Sequence, residues 1–200
     1  MLVLGLTGQS GAGKGEFSRI FATYDGIVCL DTDKTAREVV EKGEPCLDEL
    51  IGFFGNEILE DDGSLNRKKL AELAFSDKEK LQKLNGITHF HIMKKIEKWL
   101  CDVKKDGAKL AVIDAPLLFE SGANALCDIT LAITAPYASR LKRIIKRDGI
   151  DKKSAKLRLD SQPKDEFFKE RCDYIIANNG SLTTLHAKAK RFISDILSKL

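Results

Sequence analysis

Gly8-Gln9-Ser10-Gly11-Ala12-Gly13-Lys14-Gly15 is the stretch on which the reading of this chain turns. It fits G-x-x-x-x-G-K, the P-loop pattern, and sits between an apolar run, Met1 to Thr7, and a helical pattern with Phe17, Ile20 and Phe21 on one side. A short apolar run bounded by glycine reads as a buried strand. Glycines let backbone N–H groups converge on phosphate oxygens, and the N-terminus of the following helix adds positive potential. Lys14 then places a point charge on the β- and γ-phosphates of a nucleotide. The alternative is a plain glycine turn with a solvated Lys14; the agreement of spacing with flanking context argues against it. One position departs from the pattern. Gly15 stands where Ser or Thr supplies a hydroxyl to Mg²⁺. The ion would then rely on water, phosphate or a nearby carboxylate, which suits a cation that keeps several waters.

Working outward, Gly26 breaks the helix, and Ile27 to Leu30 reads as a second strand leading to Asp31 and Asp33. Strand, glycine loop, helix and strand make a βαβ unit with a right-handed crossover. In extended chain Asp31 and Asp33 share a face. One would accept the proton of an acceptor hydroxyl and the other would support the metal. Asp-Thr-Asp also suits the N-cap of a following helix, but beside a P-loop the functional reading leads. Further strands are expected at Lys109 to Ile113, Ile129 to Thr134 and Tyr174 to Ala177, with helices at Tyr137 to Arg147 and Leu182 to Leu197. The alternation predicts an α/β fold: a P-loop, three-layer core with a parallel sheet and ligands at the carboxyl edge of its strands. Asp114, after the apolar Leu110 to Ile113, occupies the Walker-B position for Mg²⁺. The middle, residues 34–105, shows no strand signal and reads as a helical insertion into one kinase-like core, with Gly86 interrupting the helical spacing of 78–103.

Net charge is only +3, which argues against nucleic acid as a partner, yet residues 140–171 carry 12 Lys/Arg against 6 Asp/Glu. Arg140, Arg143 and Arg147 fall at helical offsets of three and four and share a face. Arginines there suit a clamp on a migrating phosphoryl group, and residues 147–171 suit a basic helical lid; the lysines read as solvated. His89 and His91 lie two apart and do not form a metal pair on a helix. Five scattered cysteines (Cys29, Cys46, Cys101, Cys127, Cys172) have no metal-ligand spacing and read as mostly inert core thiols. With no apolar stretch long enough for a bilayer and no signal-peptide pattern, the expected location is the cytoplasm, away from membranes.

Several segments recur together: Leu6-Thr7-Gly8 through Lys14; Asp31-Thr32-Asp33 with Ala36 to Val40; Asp62-Gly63 with Leu65-Asn66-Arg67; Asp114 to Glu120; Arg143 to Gly149; and Asn178-Asn179-Gly180. In this order they resemble the dephospho-coenzyme A kinase family along nearly the whole chain. The resemblance implies ATP phosphorylating the 3′-hydroxyl of dephospho-coenzyme A, the last step of coenzyme A synthesis, with Mg²⁺. It implies catalytic roles for Asp33 as base, Lys14 and Arg143. Gly11, Ala12, Gly13, Lys14, Gly15 and Glu16 would hold ATP, with Arg147 on the lid side and Asn178, Asn179 and Gly180 by the adenine. Asp33, Arg37, Arg67, His89 and Leu117 would line the acceptor site, and Asp31 and Asp114 would serve the metal. Two positions depart from the family: Gly15, and Phe90 where proline usually follows the histidine. Other readings are another small-molecule or nucleotide kinase, or a nucleotide-binding member with weak turnover because of Gly15. A GTPase would carry an N/T-K-x-D motif after a strand, and none is present.

Overall fold

The computed structural model describes residues 1–199. Five strands, β1 (Leu2–Gly8), β2 (Ile27–Asp31), β3 (Leu110–Asp114), β4 (Ile129–Thr134) and β5 (Tyr174–Ala177), form one sheet in the order β2-β3-β1-β4-β5. The central strand pairs parallel to both neighbours, Leu2 opposite Leu110 through Leu6 opposite Asp114 on one side, and Leu4 opposite Ile129 through Gly8 opposite Ile133 on the other. β3 is buried along its whole length, as are Leu4 to Gly8 of β1. Parallel strands covered on both faces need unbroken apolar runs, and these sequences provide them. Gly5 is small for a reason: a Cβ there would lie 2.8 Å from both Cys127 Sγ and Leu118 Cδ2.

The chain divides into two compact units, residues 1–30 with 102–200, and residues 31–101. In the first, α1 (Lys14–Phe21) and α9 (Leu182–Leu197) pack against the sheet. Phe17 and Phe21 of α1 meet Phe192 of α9 at ring separations of 6.5 and 6.4 Å, and Tyr174 of β5 closes on Phe192 at 5.3 Å. These tilted and edge-on rings sit with Ile193 and Ile196, and such pairs add to plain area burial. The same unit carries α6 (Tyr137–Asp148), α7 (Lys152–Asp160) and α8 (Asp165–Arg171), so two short helices joined by a turn follow α6 in the basic segment. Gly149, at φ 65°, ends α6 in the left-handed turn that glycine adopts freely.

The second unit holds α2 (Thr32–Glu38), α3 (Pro45–Phe54), a 3₁₀ turn (Asn56–Ile58), α4 (Arg67–Phe75) and most of α5 (Lys78–Lys105). Pro45 opens α3 at the position where a missing N–H costs nothing, and the Asn66 side chain caps α4 by accepting from Lys69 N at 2.8 Å. Leu47, Leu50, Ile58, Leu70, Ile87 and Ile96 are buried here.

Two expectations need correcting. Gly86 does not interrupt α5, which runs for 28 residues. Burial of Ile87, Ile92 and Ile96 outweighs the roughly 1 kcal/mol that a helical glycine costs. The extended Asp31-Thr32-Asp33 is also not observed. The strand stops at Asp31 and α2 starts at Thr32, so the two carboxylates do not share a strand face. Cys101 is exposed, an exception to the inert core thiols, whereas burial pushes Cys29, Cys46 and Cys172 up to about 11 and Cys127 up to about 12. Among the described residues no helix is long and apolar enough to cross a membrane.

Gly86 is exposed and a Cβ added there meets nothing within 4 Å. Gly86→Ala should therefore stabilise the protein by about 1 kcal/mol and raise the thermal midpoint by about 2–4 °C in a melting experiment. A lowered midpoint would show that the backbone needs glycine there.

Candidate active site

The glycine loop turns at Gly11, φ 76°, and at Gly13, φ 109°, which is the N-cap of α1. Neither position admits a side chain. A Cβ at Gly11 would lie 2.9 Å from the Arg140 carbonyl oxygen, and one at Gly13 would lie 2.7 Å from Asn178 Nδ2. The loop's carbonyls are held from behind. Arg143 Nη1 donates to the Gly11 carbonyl at 3.0 Å and the Ala12 carbonyl at 3.4 Å, and Asn178 Nδ2 donates to the Ala12 carbonyl at 2.7 Å. Asn178 is itself anchored, its N–H donating to the Thr134 carbonyl at the end of β4 at 2.7 Å.

The N–H groups divide sharply. Ala12 N–H goes to the Gln9 carbonyl, Ser10 N–H to Gln162 Oε1, and Glu16 and Phe17 N–H return to the Gly13 carbonyl. Gly11, Gly13, Lys14 and Gly15 N–H have no protein acceptor among the described residues. Four unclaimed donors at a helix N-terminus form an anion-binding concavity. Lys14 forms an ion pair with Asp114, and the two side chains are only 17% and 9% exposed. So β1 supplies the loop, α1 the dipole, and β3 the carboxylate that holds the lysine. At Gly15 a Cβ meets nothing within 4 Å, so nothing crowds this position into being glycine.

The remaining residues singled out from sequence fall as follows. Glu16 pairs with Arg19 and lies 3.8 Å from His186 Nε2. Arg147 forks onto its neighbour Asp148 at 2.6 and 2.9 Å, and Arg158 reaches the same carboxylate at 2.7 Å. These partners hold the Asp148 carboxyl below its ordinary range and raise the Arg147 guanidinium. Arg140 is buried, with Nε donating to the Ala135 carbonyl at 3.1 Å. The three arginines that share a helical face thus have three different sets of partners. Asn179 and Gly180 are exposed, and Leu117 is 55% exposed.

Within the second unit, Asp31 Oδ1 accepts from Asp33 N at 2.9 Å and Lys34 N at 3.3 Å. That is the N-cap the spacing had left open. Asp33 lies in the first turn of α2, and Arg67 Nη2 donates to the Arg37 carbonyl at 3.3 Å. His89 is half-buried on α5, while His91 Nε2 meets Glu49 Oε2 at 2.9 Å. Sequence reading missed this pair and the Gln9 and Gln162 contacts. Glu49 lies 42 residues from His91, and no periodic signal links them; Gln162 was visible only as a polar residue preceding Pro163.

The family model of dephospho-CoA kinase matches residues 2–184. The chain belongs to the dephospho-CoA kinase family. A dephospho-CoA kinase of Corynebacterium glutamicum is 38% identical over 98% of this chain and 100% of that one. Among solved structures, a Thermus thermophilus protein superposes with a TM-score of 0.81 at 28% identity, covering 100% of this chain and 97% of the other. The dephospho-CoA kinase from Campylobacter jejuni gives 0.65 at 27% identity over 97% and 96%. Family membership fits the phosphate cradle built by β1 and α1.

Asn178→Ala removes a buried amide and leaves the Ala12 carbonyl with Arg143 alone. ATP affinity measured by calorimetry should fall about tenfold. Unchanged affinity would show that the loop keeps its shape without Asn178.

Proposed function

We propose that this chain transfers the γ-phosphate of ATP to the 3′-hydroxyl of dephospho-CoA. The observation that supports it best is the set of four unclaimed N–H donors beside the Lys14–Asp114 pair, in a chain of the dephospho-CoA kinase family. The phosphates of ATP seat on Gly11, Gly13, Lys14 and Gly15 N–H, and Lys14 exchanges its carboxylate partner for phosphate oxygens. Glu16, Asn179, Gly180 and Arg147 serve the nucleotide, the last three by position in the family pattern. Asp33 accepts the proton of the acceptor hydroxyl as that oxygen bonds to the γ-phosphorus and the bond to the β,γ-bridging oxygen breaks, releasing ADP. Arg37, Arg67, His89 and Leu117 bind the acceptor. Arg143 and Asn178 act by shaping the loop, since Arg143 Nη1 and Asn178 Nδ2 donate to its carbonyls.

For Mg²⁺ the donor set suits an ion carried in by the nucleotide. Among the described residues no group of three His, Cys, Asp or Glu converges to cage a cation, and residue 15 offers no hydroxyl. Mg²⁺ commonly keeps its waters and binds through phosphates with one or two carboxylates, and Asp114 is the residue placed to take part. When bound, the ion neutralises charge developing on the β- and γ-phosphate oxygens. Asp31, already capping α2, is the weaker candidate.

The deciding experiment follows ATP consumption with dephospho-CoA, with and without Mg²⁺, using adenosine and AMP as control acceptors. Transfer to dephospho-CoA alone is the expected result. ATP binding without transfer to any acceptor would favour a nucleotide-binding member disabled at Gly15. In the same assay Asp33→Asn should cut turnover by about 100-fold or more while ATP affinity holds within about twofold; equal losses would make Asp33 structural. Gly15→Ser, which fits without steric conflict, should lower the Mg²⁺ concentration needed for half-maximal rate by roughly threefold or more. If both the rate and the Mg²⁺ requirement stayed the same, the missing hydroxyl would be irrelevant to metal binding.

A further inference from the structure

The segment between α7 and α8 touches the first half of the glycine loop through two reciprocal bonds. Gln162 Oε1 accepts from Ser10 N at 3.0 Å, and Gln9 Nε2 donates to the Pro163 carbonyl at 3.0 Å. Each segment contributes one glutamine side chain and one backbone group. Partners 152 and 154 residues apart in sequence meet here, inside the same compact unit. Neither contact uses the four donors assigned to phosphate, so both are compatible with a bound anion.

The pairing has features that packing alone does not explain. Gln9 is only 4% exposed, yet its Oε1 has no hydrogen-bond partner. A buried acceptor left in that state costs free energy, so an apolar side chain of similar shape would serve better if filling space were the task. The residue before a proline is restricted to extended backbone, which presets how Gln162 approaches Ser10. At the second variable position of G-x-x-x-x-G-K the Ser10 N–H is already taken and is not a phosphate donor here.

We propose that Gln9 and Gln162 form a latch between the α7–α8 turn and the glycine loop, and that both are positioning residues for ATP. The latch fixes Gln9 and Ser10 from the lid side, while Arg143 and Asn178 fix Gly11 and Ala12 from the opposite end of the loop. Together they hold the whole run ahead of Gly13 in the shape that leaves Gly11 and Gly13 N–H free for phosphate. Docking of the lid turn and readiness of the cradle are thereby one event, so the lid region sets ATP affinity without touching the nucleotide through these two residues.

This inference rests on the nucleotide-binding reading of the loop but needs no turnover to test. Gln162→Met keeps the side-chain volume and removes the acceptor; Gln9→Met removes the donor and the orphaned oxygen together. Calorimetric ATP titration of the two variants and their combination gives a double-mutant cycle. Each single change is expected to weaken ATP binding about threefold or more. The double variant should be no weaker than the worse single one by more than about twofold, because one latch is lost only once. Amide exchange of the ligand-free protein supplies the direct readout. Gln162→Met should speed exchange at Ser10 about tenfold, with β1 and β3 amides unchanged, whether or not Gln9→Met folds. Strictly additive losses, unchanged ATP affinity, or unchanged Ser10 exchange would each overturn the latch. A wild-type protein that binds ATP but does not phosphorylate dephospho-CoA would defeat the proposed function and leave this result intact.

Discussion

The site depends on where the carbonyls of the glycine loop point. An N–H and the carbonyl preceding it belong to one planar peptide unit, so anchoring a carbonyl on one side presents the N–H on the other. Arg143 and Asn178 perform that anchoring at the Ala12 carbonyl, whose peptide unit carries the free Gly13 N–H; Arg143 also holds the Gly11 carbonyl, whose paired Ala12 N–H turns back to Gln9. Left-handed turns at Gly11 and Gly13 alternate the peptide planes so that successive donors converge. Glycine is needed at both for conformation and for space, because Arg140 and Asn178 approach to within less than 3.0 Å of where a Cβ would be. The loop is thus a short segment whose shape is imposed from outside by α6 and by the residue that follows β5.

Charge is managed with the same restraint. Lys14 is kept beside a buried carboxylate, so its own charge is not left isolated. A triphosphate has enough negative charge to draw the lysine away. Arg147, Asp148 and Arg158 show the alternative arrangement, a network of two cations around one carboxylate at the start of the basic helices. Gly15 offers no side-chain oxygen to a cation.

The sequence conveyed the sheet well, because its strands are mostly apolar runs and the central ones, β1 and β3, are buried as parallel strands covered on both faces are. The glycine loop was equally legible, since its spacing is dictated by phosphate geometry. Gly86 misled because a local propensity of about 1 kcal/mol competes with the burial of several isoleucines, and only packing reveals which prevails. Asp31 and Asp33 misled because capping and strand-end signals look alike, and the helix began one residue after the strand stopped. The basic helix showed its periodicity but not its partners. Arg143 reaches a carbonyl 132 residues away, and Gln162 an amide 152 residues away. Nothing local encodes such pairings.

The sheet order also constrains how a ribosome can deliver this protein. β1 emerges first, yet its partners begin at Leu110 and Ile129. At about 5–20 residues per second, an apolar strand stays without its neighbours for roughly 5–20 s. Residues 31–101, by contrast, form a compact unit from one continuous stretch of chain, mostly helices with local contacts, the class that folds fast. The helical unit has time to consolidate while the strand at the centre of the sheet remains exposed to chaperones and to other nascent chains. The phosphate cradle can close only after all five strands have been made, because Asn178 lies beyond them in the chain.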